Sequence, residues 1–419
     1  MRNTILVILM GICLSCQTKK EPVQQSEALF SHLKDSLTAE LTELHQLGNI
    51  NGFGVGIVNQ DSVLYARGFG FADVASKKPY TGSTLQNIGS VSKTFIGISL
   101  MKAQEQGKLD MDDPVNDYLP FEVKNPHFPD DPITLRHLAT HTSGILDTEY
   151  YDSKSYILKE ARMESDTTAQ INEEFNPPDG RIPMMAFLEN TLSEEGEWYL
   201  EKGFLENRPG TLFAYSNVGA TLAAAALEVA TGMTFNEFST QHILEPLGME
   251  ASGWAFEDIQ LSDHSTLYAN VETPLPFYSL ITYPDGGMIC SPPDLSTYLV
   301  ELINGYSGDG MLLSKESYQE LFRPQLDESH LPGRDTENDF DEEYNSGIFM
   351  GFTPKGYIGH TGGDPGIATF MFFTPETRTG RLLMINTSIV SQEGVEQFFT
   401  ILNTLIDYET RMHALIEQP

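Results

Sequence analysis

Apolar residues recur at Leu29, Leu33, Leu37, Leu41 and Leu44, the single stripe of a helix over 29–47 that Gly48-Asn49 would close. Two runs of strand character follow, 54–59 and 62–70, joined by a tight Gln60-Asp61 turn; together they read as a hairpin. Ser90 opens a helix whose apolar positions Phe95, Ile96, Ile98, Leu100 and Met101 run to a stop near Gly107. Between about Asp112 and Trp254 the pattern is helix and loop: a short helix at 135–140, an alanine-rich one at 221–230 closed by Gly232, and another at 235–244. Within it, 147–207 is polar, glutamate-rich and irregular, and reads as an insertion or lid. Beyond Ser279 come a helix at 295–302, strand-like runs at 346–353, 368–374 and 381–387, and a last helix at 394–406. The pattern predicts an α/β portion built from 29–111 and 279–419, sharing one sheet, around a helical middle at 112–278.

A chain of 419 residues accommodates two substructures or one large domain with an inserted cap. Charged residues at 20% and hydrophobic ones at 40% mark a globular chain, not a disordered one. The formal net charge of −34 would repel phosphate backbones, which excludes nucleic acid as a partner and leaves solubility as the plain meaning of the acidity. The acidic stretch 335–343 has Phe340 where a calcium loop needs glycine, so it reads as a solvated loop.

The first residues read as a targeting signal. Arg2 supplies a positive start, and 5–14 is an apolar run too short to span a bilayer. Ser15 then precedes Cys16 in a pattern that resembles a bacterial lipoprotein cleavage site, with Cys13 standing where leucine is usual. Residues 1–16 would be the signal, 17–28 a polar tether, and Cys16 the lipidated residue that attaches an exported protein to the cell envelope, at the periplasm or outer membrane. Plain secretion is the alternative. Cys290 is then left without an intramolecular partner, and its apolar neighbours Met288 and Ile289 suggest a buried, inert thiol.

Ser-x-x-Lys occurs at Ser31/Lys34 and at Ser90/Lys93. The first pair lies in the N-terminal helix beside His32 and Asp35 and reads as surface. Ser90 follows Gly89 at a helix start, where the dipole favours developing negative charge, and Lys93 falls on the same helix face. A serine hydroxyl needs a base at neutral pH. A free lysine is almost wholly protonated there, and neutralising it costs about 4–5 kcal/mol unless burial or a nearby cation lowers that cost. A third group should share the proton traffic. Tyr-x-Asn offers one at Tyr215-Ser216-Asn217, between the Arg208-Pro209-Gly210 turn and the alanine-rich helix; a second copy, Tyr268-Ala269-Asn270, lies in a connection rich in threonine and proline. Tyr215 could pass a proton between Ser90, Lys93 and a leaving group, and Asn217 could hydrogen-bond an acyl amide. In His360-Thr361-Gly362-Gly363 the glycines would let a substrate pair with the backbone as an added strand. The N–H groups of Ser90 and Gly363 are the candidate oxyanion hole. His137 and His141, four apart, have no glutamate or third ligand with them and read as structural, and the Gly-x-Ser-x-Gly nucleophile elbow is absent.

Taken in order, 88–95, 138–144, Pro209-Gly210-Thr211, Tyr215-Ser216-Asn217, 245–249 and 359–363 resemble the class C β-lactamase-related serine hydrolases, a group of β-lactamases, D-alanyl-D-alanine carboxypeptidases, D-aminopeptidases and esterases. The resemblance runs from about 50 to 390. It implies an α+β fold, a mainly antiparallel sheet flanked by helices with an inserted all-helical domain, and a site in the cleft between them. It implies Ser90 as nucleophile, Lys93 and Tyr215 as the acid–base pair, His360 and Thr361 in the third motif, an acyl-enzyme resolved by water, and no metal or organic cofactor. Histidine at 360 replaces the lysine usual in β-lactamases, a fixed cation that grips a substrate carboxylate, and is only partly charged at neutral pH. The expected substrate is therefore a D-amino-acid peptide or small ester. A true β-lactamase and a non-catalytic binding lipoprotein are the alternatives.

Overall fold

The computed structural model describes residues 20–161, 175–333 and 345–417. The expected signal at 1–16 with Cys16, the acidic stretch 335–343 and part of the 147–207 region lie outside the described residues.

Alternation of small and apolar residues builds the middle of the sheet. In the strand Gly52–Asn59, Phe53, Val55 and Ile57 point to one face and pack with Leu37, Leu41, Ile401, Leu402 and Leu405. Gly54 and Gly56 point to the other, where a Cβ would meet Pro292 Cγ at 2.3 Å and Ser296 Oγ at 2.2 Å. Glycine on that face lets the helix Pro292–Ser307 lie directly on the strand. The eight strands run, edge to edge, 345–346, 351–352, 358–364, 367–374, 379–385, 52–59, 63–73 and 78–79, and every neighbouring pair is antiparallel. The sheet thus joins strands from both ends of the chain, and the expected α+β class with an antiparallel sheet flanked by helices is the one observed.

One face of the sheet carries the helices Lys20–His45 and Gln392–Ile416. The other carries the larger core, which includes the helices Lys93–Glu105, Asn217–Thr231 and Pro292–Ser307. Ala220, Ala223, Ala224, Ala225 and Ala226 are all fully buried, and their small side chains let the alanine-rich helix sit inside that core. Ser216 caps it, accepting from Gly219 N at 2.9 Å, and Gly232 ends it at φ 74°.

Three sequence readings change. The N-terminal helix begins at Lys20, inside the stretch read as a tether. The run 346–353 is two short strands, Asn345–Ser346 and Gly351–Phe352, because the chain turns at 347–350 with Phe349 at φ 52°. The 147–207 region is not irregular where it is described: it contains the helices Glu149–Ser155 and Met184–Leu192 and a strand, Tyr156–Leu158, paired with Tyr278–Leu280. Its described glutamates face solvent while Phe187, Leu188 and Leu192 enter the main core, a division that a composition average hides. Among the described residues no single helix is long and apolar enough to cross a membrane.

Candidate active site

Ser90 lies in a single 3-10 turn, Gly89–Ser92, that leads into the helix Lys93–Glu105. The turn is pinned from below. Gln86 and Asn87 pair with Cys290 and Ile289, Ile88 N donates to Met288 O at 3.0 Å, and Met288 N donates to Ser92 Oγ at 3.1 Å. It is also pressed from the side by the strand Ile358–Asp364. Gly89 adopts φ 55°, and a Cβ on it would stand 2.8 Å from Gly363 N; one on Gly362 would stand 2.1 Å from Ile88 O. Glycine at 89 and 362 is what allows the backbones to approach. The backbone nitrogens of Ser90 and Gly363 thereby lie on facing sides of this close approach.

Lys93 is fully buried, and three acceptors converge on its ammonium: Ser90 Oγ at 3.0 Å, Asn217 Oδ1 at 2.6 Å and the Asp285 carbonyl at 2.7 Å. Burial holds its pKa below the ordinary lysine value, against the pull of Asp285, Asp364 and Asp147. Its Nζ is 5.1 Å from the centre of the Tyr215 ring. The Tyr215 hydroxyl is enclosed and makes no hydrogen bond of ordinary geometry, although Ser90 lies near enough to ease its ionisation. Burial outweighs that, and the phenol stays well above its ordinary pKa. Asn217, the first residue of the alanine-rich helix, gives its carbonyl oxygen to Lys93 and one amide hydrogen to Asp147 Oδ2 at 2.8 Å, leaving its second amide hydrogen unengaged among the described residues.

His360 is 4% exposed and donates from Nδ1 to the Thr361 carbonyl at 2.5 Å. Burial pushes its pKa down to about 4, with Lys93 adding to the effect, so the imidazole is neutral at pH 7. Its ring centre is 6.1 Å from that of Tyr215. Thr361 and Gly363 are exposed on the cleft side of the strand. The structure therefore gathers Ser90, Lys93, Tyr215, Asn217, His360, Thr361, Gly362 and Gly363 into one cluster. Ser31 is exposed on the N-terminal helix, and Tyr268 belongs to a short strand, Tyr268–Asn270, where its hydroxyl accepts from Val74 N at 2.8 Å. His137 forms a capping box with Thr134. Cys290 is buried, with its thiol pushed up by burial.

Asp147, Asp285 and Asp364, which the sequence reading did not single out, and His141, which it read as structural, complete the cluster. Asp147 accepts from Ser216 Oγ, Asn217 N, Asn217 Nδ2 and Val218 N at 2.8–3.1 Å, which anchors the start of the alanine-rich helix. Asp285 accepts from Tyr151 OH at 3.1 Å on both oxygens and from Thr221 Oγ1 at 2.8 Å; burial pushes its carboxyl up to about 6, against the pull of Lys93. His141, at φ 55°, stacks on Tyr215 at 4.4 Å and accepts from Ser216 N at 3.2 Å, so its proton sits on Nε2. Asp364 directly follows the glycine pair and accepts from Tyr156 OH at 2.6 Å. Its position next to Gly363 and the place of His141 in the 138–144 motif were the readable signals; Asp147 and Asp285 reach the site from distant segments with no motif spacing.

A buried lysine is hydrogen-bonded to a serine at a helix start, with an enclosed tyrosine beside it and a glycine-rich strand across it, the arrangement that the resemblance to the β-lactamase-related serine hydrolases leads one to expect. The chain belongs to the beta-lactamase family, whose model matches residues 37–405. It is 24% identical over 366 residues to Protein flp of Staphylococcus aureus (strain MW2), covering 86% of this chain and 64% of that relative's length. Among solved structures it is similar to the beta-lactamase/D-alanine carboxypeptidase from Yersinia pestis complexed with citrate, with TM-score 0.64, 19% identity, and 91% and 99% of the two chains covered. It is likewise similar to the D-amino acid amidase from Ochrobactrum anthropi SV3 complexed with L-phenylalanine, with TM-score 0.61, 19% identity, and coverage of 90% and 99%. At these identities the solved structures establish the fold, and family membership supports a serine-hydrolase type of reaction in general.

Proposed function

We propose that this protein is a serine hydrolase that cleaves an amide or ester through an acyl-Ser90 intermediate, with a D-amino-acid peptide or small ester as substrate. The observation that carries the reading is the 3.0 Å contact between a fully buried Lys93 Nζ and Ser90 Oγ. As a neutral amine, Lys93 keeps two hydrogens for Asn217 Oδ1 and the Asp285 carbonyl and turns its lone pair to the serine hydroxyl. Ser90 Oγ adds to the scissile carbonyl as its proton passes to Lys93, and the oxyanion is received by the N–H groups of Ser90 and Gly363. Tyr215, whose high pKa keeps it protonated, hands its proton to the leaving atom and is reprotonated from Lys93. Water then releases the acyl group by the same steps in reverse.

A neutral His360 supports a substrate other than a penicillin, since it provides no fixed charge for a carboxylate. The proposal includes export and attachment to the cell envelope through a lipid on Cys16; incorporation of an alkyne fatty acid into the wild type, and its loss in Cys16→Ala, checks it.

The test of the reaction is labelling of the soluble part with a fluorophosphonate and, separately, a fluorescent penicillin, followed by peptide mapping. A fluorophosphonate adduct on Ser90 is expected. An adduct with both probes would restore the β-lactamase-like reading, and an unlabelled protein would be a binding lipoprotein.

A further inference from the structure

Three carboxylates surround Lys93, and they differ in how fully they are engaged. Asp147 accepts from four donors. Asp285 is 1% exposed and both its oxygens are bonded. Asp364 is partly exposed and has one donor, the Tyr156 hydroxyl on Oδ1. An ionised carboxylate offers about four acceptor positions. A Cβ at Gly286 would stand 3.0 Å from Asp364 Oδ2, so glycine there keeps a side chain from pressing on the second oxygen.

Position along the strand says which part of a substrate would meet it. Ile358–Asp364 crosses the Ser90 turn at Gly362 and Gly363. His360, on one side of that crossing, lies by Tyr215, the group that delivers a proton to the leaving atom. Asp364 lies on the other side, about 13 Å along an extended backbone from His360 and one residue past the oxyanion position. That is the acyl side of the scissile bond.

Charge points the same way. All three donors of Lys93 are taken up within the protein. His360 is neutral, and among the described residues Lys93 is the one cation acting on Asp364. A substrate carboxylate would find no free cation in this cluster, whereas an ammonium would find an underused carboxylate. The carboxylate is also well placed to hold its aim. Tyr156 packs against Tyr278 at 5.6 Å and Phe175 at 6.1 Å, and Tyr278 OH donates to the Pro365 carbonyl at 2.7 Å.

We propose that Asp364 is the seat of a substrate ammonium group on the acyl side, so that the site takes acyl donors bearing a free amine next to the carbonyl in preference to N-acylated ones. The proposal rests on the acyl-Ser90 reading. Burial pushes the Asp364 carboxyl up to about 7, with Tyr156 opposing and Asp285 adding; an ammonium in contact would draw it back to the charged form.

The test compares 1-aminoethylboronic acid with 1-acetamidoethylboronic acid, each hand separately, as reversible competitors of fluorophosphonate labelling at Ser90. Each boronic acid takes Ser90 Oγ onto boron, so the pair differs only on the acyl side. The amine is expected to protect at about tenfold lower concentration or better in its preferred hand, a charge-pair effect discounted for partial exposure. The preference should collapse to about unity in Asp364→Asn and persist in Asp364→Glu, which keeps the charge. Equal or better protection by the acetamide in the wild type, or an undiminished preference in Asp364→Asn, would overturn the proposal while leaving the hydrolase reading intact. Wild-type protein that takes no label at Ser90 would overturn both.

Discussion

Lys93 illustrates how a single residue can be held ready for two protonation states. As an ammonium it satisfies three acceptors; as an amine it satisfies two and accepts from Ser90. Burial favours the amine and the surrounding carboxylates favour the ammonium, and burial is the larger effect. Tyr215 is displaced the opposite way, towards staying protonated, so the two groups divide base and acid between them. Ser90→Ala should remove fluorophosphonate labelling and hydrolysis while leaving the circular dichroism spectrum and melting curve of the wild type. Retained hydrolysis in that variant would refute the assignment of the nucleophile. Lys93→Ala and Tyr215→Phe should each slow acylation by about a thousandfold or more, and the double variant should be little worse than either single one, because the two act as a unit. Losses that multiply would show two independent contributions.

Elements bring these residues together, and they differ in how readable they were. Ser90 and Lys93 share one turn, Tyr215 and Asn217 one helix start, and His360 to Gly363 one strand, so each motif is local and stands out in the sequence. The hairpin, the Ser90 helix and the alanine-rich helix were legible from periodicity for the same reason. Asp147 and Asp285 were not, because their partners lie 64–192 residues away and no spacing announces them. The turn at 347–350 was hidden by an unbroken apolar run, and Phe349 is fully buried within it. Asp147 also shows what such a residue does for an element. It bonds two backbone N–H groups at the start of the alanine-rich helix and orients Asn217, which in turn holds Lys93. Asp147→Ala should lower stability by about 1–3 kcal/mol, since those donors lose a charged acceptor. It should also slow Ser90 labelling more than it weakens boronate binding. A variant with wild-type labelling rate and lowered stability alone would show that the Asp147–Asn217–Lys93 chain does not matter to the chemistry.

Across the whole molecule the sheet separates two jobs. One face meets the Ser90 helix and the site. The other is covered by the N-terminal and C-terminal helices, through a core that includes Leu37, Leu41, Ile401, Leu402 and Leu405. A buried ion pair crosses that second layer. Arg381, 1% exposed on the strand Thr379–Ile385, donates from Nη1 to Glu409 Oε2 at 3.0 Å, and Thr379 Oγ1 donates to Glu409 Oε1 at 2.5 Å. The guanidinium also lies over the Tyr357 ring at 4.4 Å, while its Nε and Nη2 have no hydrogen-bond partner among the described residues. With part of its donor set already unmet, Arg381 depends on Glu409 for its one ion pair. Glu409→Ala would leave a buried, unpaired cation, a change that costs about 3–5 kcal/mol. The expected result is a clear fall in thermal midpoint with an unchanged rate of Ser90 labelling below the transition, because nothing on the site face is touched. The double variant Arg381→Met/Glu409→Leu should recover most of the lost stability, since replacing both members with apolar groups of similar volume removes the stranded charge. A midpoint unmoved by Glu409→Ala would mean that this ion pair adds nothing to the tie between sheet and helix. A labelling rate that falls together with the midpoint would mean that the two faces of the sheet are coupled.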